Sequence, residues 1–281
     1  MSARALLAVL GAVLLAALPA TGARAQAPGL GGSIELVDPH TLRVCADPRD
    51  LPFSDQAREG FENKIAELLA RKLGRPVAYT YFPQVIGFYR NTLNAFRCDV
   101  VMGVVQGDDI VQTTNPYYRT SYALVFKPGR GLDSVTTLED PRLKDKRLGV
   151  IARTPPATLM VMDGLMDKAK PYPLTVDTRV EAPAKSMIGD LLADRIDAAV
   201  LWGPLAGYYA KQPGANLSVT PLLKEHGVPM DFRISMGVRH SDQDWKRTLN
   251  KLIRENQDAI NKILAGYGVP LLDEDGKPLA P

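Results

Sequence analysis

The chain has 281 residues, with 34 Lys and Arg against 31 Asp and Glu, for a formal net charge of +3. Taking out Arg4 and Arg24 leaves +1, a nearly neutral surface without the basic footprint of a nucleic-acid binder. The length allows two medium lobes or one large domain with a sizeable core, so neither a metal nor a disulfide is required for folding.

Ala5 to Ala20 is an apolar, small-residue run after Arg4 and closes on Ala23-Arg24-Ala25, the A-x-A pattern of an export signal. A membrane anchor is the competing reading, but about sixteen residues fall short of the roughly twenty that a spanning helix needs. Residues 1–25 are therefore expected to be removed, leaving a chain that works in the periplasm or outside the cell.

Leu42 to Ala46 reads as a strand, followed by a Pro- and Asp-rich loop through Ser54. Phe61, Ile65, Leu68 and Leu69 fall on one helical face, and Gly74 ends that helix. Val77 to Phe82 is a second strand, Phe88 to Phe96 a second helix, and Asp99 to Val104 a third strand. Short, mostly apolar strands of this kind belong to a parallel sheet covered on both faces. Such a sheet places ligands beyond the carboxyl ends of its strands, so Asp47, Phe53, Phe82, Gly103 and Val104 are expected to rim one crevice. Cys45 and Cys98 are the only cysteines, and in an exported chain a pair usually forms a disulfide. In straight parallel strands they would sit roughly 13 Å apart at about 3.3 Å per residue, beyond bridging reach; two buried thiols are the alternative.

Ser121 to Phe126 is a further strand, and Lys127 to Gly131 is a Pro/Gly break suited to a crossing between lobes. A new series follows: a strand over 147–152, a cap and proline turn at Thr154-Pro155-Pro156, a helix through Met166, a helix over 184–194, the strand Ala198 to Trp202, a helix from Gly203 to Lys211, and a strand over 217–223. Asp231 to Val238 alternates at period two and returns the chain to the first lobe. One long helix is expected from Ser241 as N-cap, with Asp244 at the capping-box position, to Gly266. The expected division is lobe 1 over 26–126 and 231–266, lobe 2 over 127–230, and a tail without periodicity over 267–281.

This α/β order of two βαβ lobes around a central cleft resembles the type II periplasmic solute-binding proteins. Leu42 to Asp47, Leu51 to Ser54, Gly60 to Ala66, Arg90 to Leu93, Cys98 to Val104 and Asn115 to Tyr118 are similar, more narrowly, to the XoxJ/MxaJ family. Gln106 to Asp109 and Asn115 to Tyr118 are closer to the XoxJ side. The resemblance covers nearly the whole mature chain. It implies a non-catalytic periplasmic accessory protein of a PQQ-dependent methanol dehydrogenase, of the lanthanide type on the XoxJ side, which binds that enzyme and aids its maturation or activation. It implies no cofactor on this chain, since PQQ and metal belong to the dehydrogenase. The alternative is the receptor of an ABC importer for a non-amino-acid organic ligand.

The departures from amino-acid receptors carry the distinction. Those receptors place an arginine after the third strand to fork onto the ligand carboxylate, whereas Val104 to Ile110 has none. They also place an aspartate after the strand that here ends Leu201-Trp202-Gly203. The expectation is a groove that lacks the paired charges to hold a free amino acid. The expected cleft residues are Asp47, Phe53, Phe82, Gly103, Val104, Asp108, Asp109, Tyr117, Tyr118, Thr154, Trp202 and Gly203, a wide and partly aromatic lining for a protein segment or a bulky apolar molecule. Each has a purely structural reading: Phe53 and Phe82 as anchors to the core, Tyr117-Tyr118 as a lobe junction, Trp202 as a cap on the sheet, Asp108-Asp109 as a solvated turn.

An enzyme would need an acid, base or nucleophile set. His40, His226 and His240 sit in separate segments with no partner at a recognisable spacing, which leaves Asp47, Asp108 and Asp109 as the only candidates. Asp273 to Gly276 resembles a calcium loop, but Leu271 stands where a ligand is needed and no glutamate closes it.

Overall fold

The structure is a computed structural model and describes residues 35–279; the export signal expected over 1–25 lies outside them. Leu42–Ala46 (β1) leads into a small antiparallel hairpin of Arg49–Asp50 (β2) and Ser54–Asp55 (β3), where the sequence predicts a loop. Phe61–Leu73 (α1) follows, then Val77–Tyr81 (β4), which runs parallel to β1.

The second helix is confined to Phe88–Asn91 (α2). Leu93 and Phe96 match a helical repeat in the sequence, but Thr92 Oγ1 donates to the Phe88 carbonyl at 2.6 Å, offering the backbone a local alternative. Phe96 then adopts φ +57°, which no helix continues through. Val100–Val105 (β5) lies parallel to β1 on its other side. The same turn overturns the expected separation of the cysteines. Cys45 and Cys98 form a disulfide with Cα atoms 5.5 Å apart, because Cys98 precedes the strand and is folded back rather than extended from it.

Gln112–Thr113 (β6) and the nine-residue Tyr118–Phe126 (β7) complete this part. The second series comprises Leu148–Ile151 (β8), Pro155–Met162 (α3), Lys170–Tyr172 (β9), Pro183–Leu192 (α4), Ala198–Trp202 (β10), Gly203–Ala210 (α5) and Ser218–Pro221 (β11). Asp231–Val238 (β12) returns to β5 and β7. The strand order is β4-β1-β5-β12-β7-β10-β8-β9, with β11 on β7 and β6 on β12. The passage between the two halves lies inside β7, not at the Pro/Gly break. Tyr118 to Ser121 pair with β12, and Tyr122 to Phe126 pair with β10.

Alternation along the strands builds a core on each face. Leu42, Val44, Val100 and Met102 pack under α1 with Trp245 and Leu249, while Cys45 and Val101 face a smaller cluster with Phe88 and Leu93. In the second half Leu124, Phe126, Ala198 and Val200 point one way, and Ala123, Val125, Ala199 and Leu201 the other.

The expected single C-terminal helix is two, Gln243–Glu255 (α6) and Gln257–Gly266 (α7). Buried Asn256 breaks it, its side-chain amide donating to the Leu252 carbonyl at 2.8 Å. Nor does Ser241 cap it: Asp242 takes that position, and Glu35 accepts from the backbone N–H groups of Asp244 and Trp245, meeting the orphan donors of the first turn. The segment after α7 is ordered against β7, where Leu272 N donates to Arg119 O at 2.9 Å and Thr120 Oγ1 to Pro270 O at 2.7 Å.

Candidate functional site

The carboxyl ends of β1, β8 and β10 open onto one cavity of about 1450 Å³ between the two halves. That is larger than the roughly 300–1,000 Å³ of ordinary small-ligand pockets. One wall is aromatic. Tyr122, Trp202 and Phe232 meet edge to face, with centroids 5.0 Å apart for Tyr122 and Trp202 and 5.9 Å for Trp202 and Phe232. They come from β7, β10 and β12, the strands around the passage between halves, which explains why no single stretch of sequence displays the wall.

Asp47 stands at the end of β1, 1% exposed, and its carboxylate is fully engaged. It accepts from Arg49 N at 2.8 Å, Gln84 N at 2.7 Å and Thr178 Oγ1 at 2.7 Å. Thr178 lies in the loop after β9, so this bond ties the first half to the second. A second tie runs from the Arg49 guanidinium to the Arg179 carbonyl at 3.1 Å.

Of the expected cleft residues, Phe53, Thr154 and Trp202 line the cavity, and Asp47 lies just behind it. The others are placed elsewhere. Tyr117, just before β7, and Tyr118, its first residue, are buried in the main core, Tyr118 edge-on to Phe61 at 6.2 Å; this end of β7 points away from the crevice. Phe82 and Val104 join the cluster around the disulfide. Asp108 and Asp109 form a turn away from the cavity, Asp108 Oδ1 accepting from Ile110 N at 2.8 Å. Gly203 opens α5, where a Cβ would overlap the Ser121 carbonyl. Thr154 opens α3 and donates to the Ile151 carbonyl at 2.6 Å.

The expectation of a groove without opposed charges needs correction, because Arg49, Arg179 and Lys185 line it together with Asp50, Asp55 and Glu181. The Arg179 fork is held by Asp177 at 2.7 Å from its own turn. Among the described residues the Arg49 guanidinium has only the carbonyl bond described above. The loops that bring these residues together are 130 positions apart in sequence, so spacing could not have paired them.

Two further carboxyls stand here, Asp50 on the cavity lining and Glu62 behind it. Glu62, in the first turn of α1, is 6% exposed and lies where a side chain at Gly103 would be: a Cβ there would overlap Glu62 Oε1. Gly103 itself has φ +72°, a conformation in which glycine is unstrained. Burial pushes the Glu62 carboxyl up to about 8, with Asp50 and then Asp47 adding to it. Burial, then Asp47, pushes Asp50 up to about 7. In the sequence Glu62 reads as an ordinary acidic residue of a helix start; nothing local signals its burial. Among the described residues no group of three or more His, Cys, Asp or Glu side chains is arranged to hold a metal ion.

No family model matches the chain. It is 42% identical to the periplasmic binding protein XoxJ of Methylobacterium extorquens AM1, with a TM-score of 0.72 over 83% of this chain and 100% of that one. MxaJ of Methlophaga aminisulfidivorans MPT is 26% identical, with a TM-score of 0.70 over 82% of this chain and 100% of that one. Protein MoxJ of Methylorubrum extorquens is 28% identical over 285 aligned positions, covering 95% of this chain and 94% of the relative. With the type II solute-binding fold, its interlobe cleft and this likeness over the full length of XoxJ, the chain belongs to the XoxJ/MxaJ family of periplasmic binding proteins.

Proposed function

We propose that this chain is a periplasmic, non-catalytic accessory protein of a PQQ-dependent methanol dehydrogenase, which binds the enzyme or a segment of it and aids its maturation or activation. The observation that carries this reading is the 42% identity to XoxJ over the whole of that chain, together with the association with methanol oxidation that the family resemblance implies. The cleft supports it in two ways. Its volume suits a chain segment better than a single amino acid, and Asp47 is consumed by protein donors rather than left for a ligand ammonium. The expected export signal and the periplasmic relatives support the location; among the described residues no helix is long and apolar enough to cross a membrane. PQQ and the metal stay with the dehydrogenase in this reading. Co-purification of the tagged chain with the dehydrogenase, and a lower active fraction of that enzyme when this chain is deleted, are the expected results. Full dehydrogenase activity without it removes the proposal.

Arg49 favours a second reading. A guanidinium at the cleft with no carboxylate partner among the described residues could hold the acid group of an organic solute, making the chain the receptor of an importer. A solute at a hundredfold excess over its dissociation constant would add about 2.7 kcal/mol to stability; an unresponsive library of organic acids counts against this reading.

A further inference from the structure

The accessory reading leaves open what chemistry the cleft recognises, and its floor supplies an answer that deepens that reading. Glu62 is an acid with 6% exposure and, among the described residues, no donor or cation bonded to its carboxylate. Its oxygens are not among the sealed unbonded atoms of the interior, so the little exposure it keeps reaches the carboxylate. The carboxyl lies over Gly103, which is beside the cavity and not on its lining. Gly103 is exposed, as is Val105 two residues on, and Val105 lines the cavity. The Phe53 carbonyl, which accepts from Glu62 N at 2.9 Å, belongs to another lining residue.

The groups that face Glu62 are the wrong ones to keep it charged. Asp47 and Asp50 approach from the end of β1 and the hairpin after it, and the phenols of Tyr117 and Tyr118 from the entry to β7 and of Tyr89 from α2. Among the described residues no arginine or lysine is paired with the Glu62 or Asp50 carboxylate; Arg49 and Arg179 are turned to a carbonyl and to Asp177. A buried carboxyl without a cation costs several kcal/mol when ionised, so a partner that stabilises its charged form must be positive. The neighbouring wall of Phe53, Tyr122, Trp202 and Phe232 would hold an apolar stem and attract a cation through its ring faces.

We infer that the floor of the cleft, formed by Asp50 and Glu62 beneath the aromatic wall, is a site for one ammonium or guanidinium group on an apolar stem, as presented by a lysine or arginine side chain of a peptide segment. In the accessory reading that segment belongs to the partner. The same chemistry is also carried by free alkyl amines and guanidines, and the test separates the two sources.

Isothermal titration of the full chain at pH 8 compares agmatine with its neutral urea analogue, and an apolar peptide carrying one arginine with the same peptide carrying citrulline. The expected result is a preference of about tenfold or more for the charged member of a pair, shrinking at pH 6, where both carboxyls hold their protons. Tighter binding of the peptide assigns the site to a chain segment, and tighter binding of agmatine to a free solute. Glu62→Gln and Asp50→Asn should each reduce the preference at pH 8, while Glu62→Asp keeps part of it. Equal binding of charged and neutral members, no binding of any probe, or a preference untouched by both substitutions overturns the inference. Capture of the dehydrogenase without a cation preference would remove this site and keep the accessory role; a cation preference without capture would do the reverse.

Discussion

Replacing Glu62 with glutamine isolates the electrostatic cost of the cleft floor. Its carboxyl titrates near 4.5 in an unfolded chain and is pushed up to about 8 in the folded one, so between those values the folded state holds a proton that the unfolded state has released. Stability therefore falls as pH rises through this window. The glutamine variant has no proton to hold. Each pH unit of the window is worth about 1.36 kcal/mol, which bounds the effect at about 5 kcal/mol across it. Water reaching the oxygens and an effective dielectric well above that of a dry interior reduce the figure to ~2 kcal/mol. That is a shift of about 4–8 °C in Tm for a chain of this size. Thermal unfolding of both proteins at pH 5, 7 and 9 should give a difference that grows in favour of the variant as pH rises. The pH-dependent part is what counts, so any constant offset from burying the amide drops out. Asp50 titrates in the same region, and the two acids share their protons; Asp50→Asn with Glu62→Gln should add less than the sum of the two. Parallel pH profiles for the wild type and Glu62→Gln would refute the buried, unpaired placement of this acid.

Three further outcomes test the frame around the site. Thr178→Val removes the side-chain bond from the second half to Asp47 and should loosen closure by about 1–2 kcal/mol, read as faster hydrogen exchange at the Gln84 amide, with overall stability little changed. Asp99 is 1% exposed and is gripped by Arg43 and Arg239, each at 2.7 Å; Asp99→Ala leaves Arg239 buried without that partner and should cost about 3–5 kcal/mol in denaturant unfolding. Gly207 of α5 lies so close to Gly268 that a Cβ would overlap the Gly268 carbonyl, so Gly207→Ala should destabilise the chain by about 1–3 kcal/mol, whereas Gly189→Ala, with open space around it, should not.

The strands were legible because a buried strand needs a short apolar run, and Leu42 to Ala46, Val100 to Val104 and Ala198 to Trp202 each supply one. Helix ends were less so. Phe96 sits at the right spacing for an inward residue, yet it is 46% exposed, and the turn that places it there is set by Thr92 and by the disulfide to β1. The rule that ligands lie at strand ends located Phe53, Thr154 and Trp202. It failed for Tyr117 and Tyr118 because they stand where the chain enters β7, inside the core. Glu62 was invisible for a different reason. Its burial depends on the missing side chain of Gly103, 41 positions later by the numbering, and on the hairpin folded over the start of α1. The aromatic wall likewise exists only once β7, β10 and β12 are brought side by side.

The most direct measurement of the account is capture from a periplasmic extract of the chain's own cells with the tagged full-length protein, the bound fraction being assayed for PQQ-dependent methanol oxidation. The account predicts that the dehydrogenase is retained, and that its active fraction falls in cells lacking this chain and recovers when the chain is restored. A dehydrogenase that passes through unbound, and is fully active in the deletion, would contradict it.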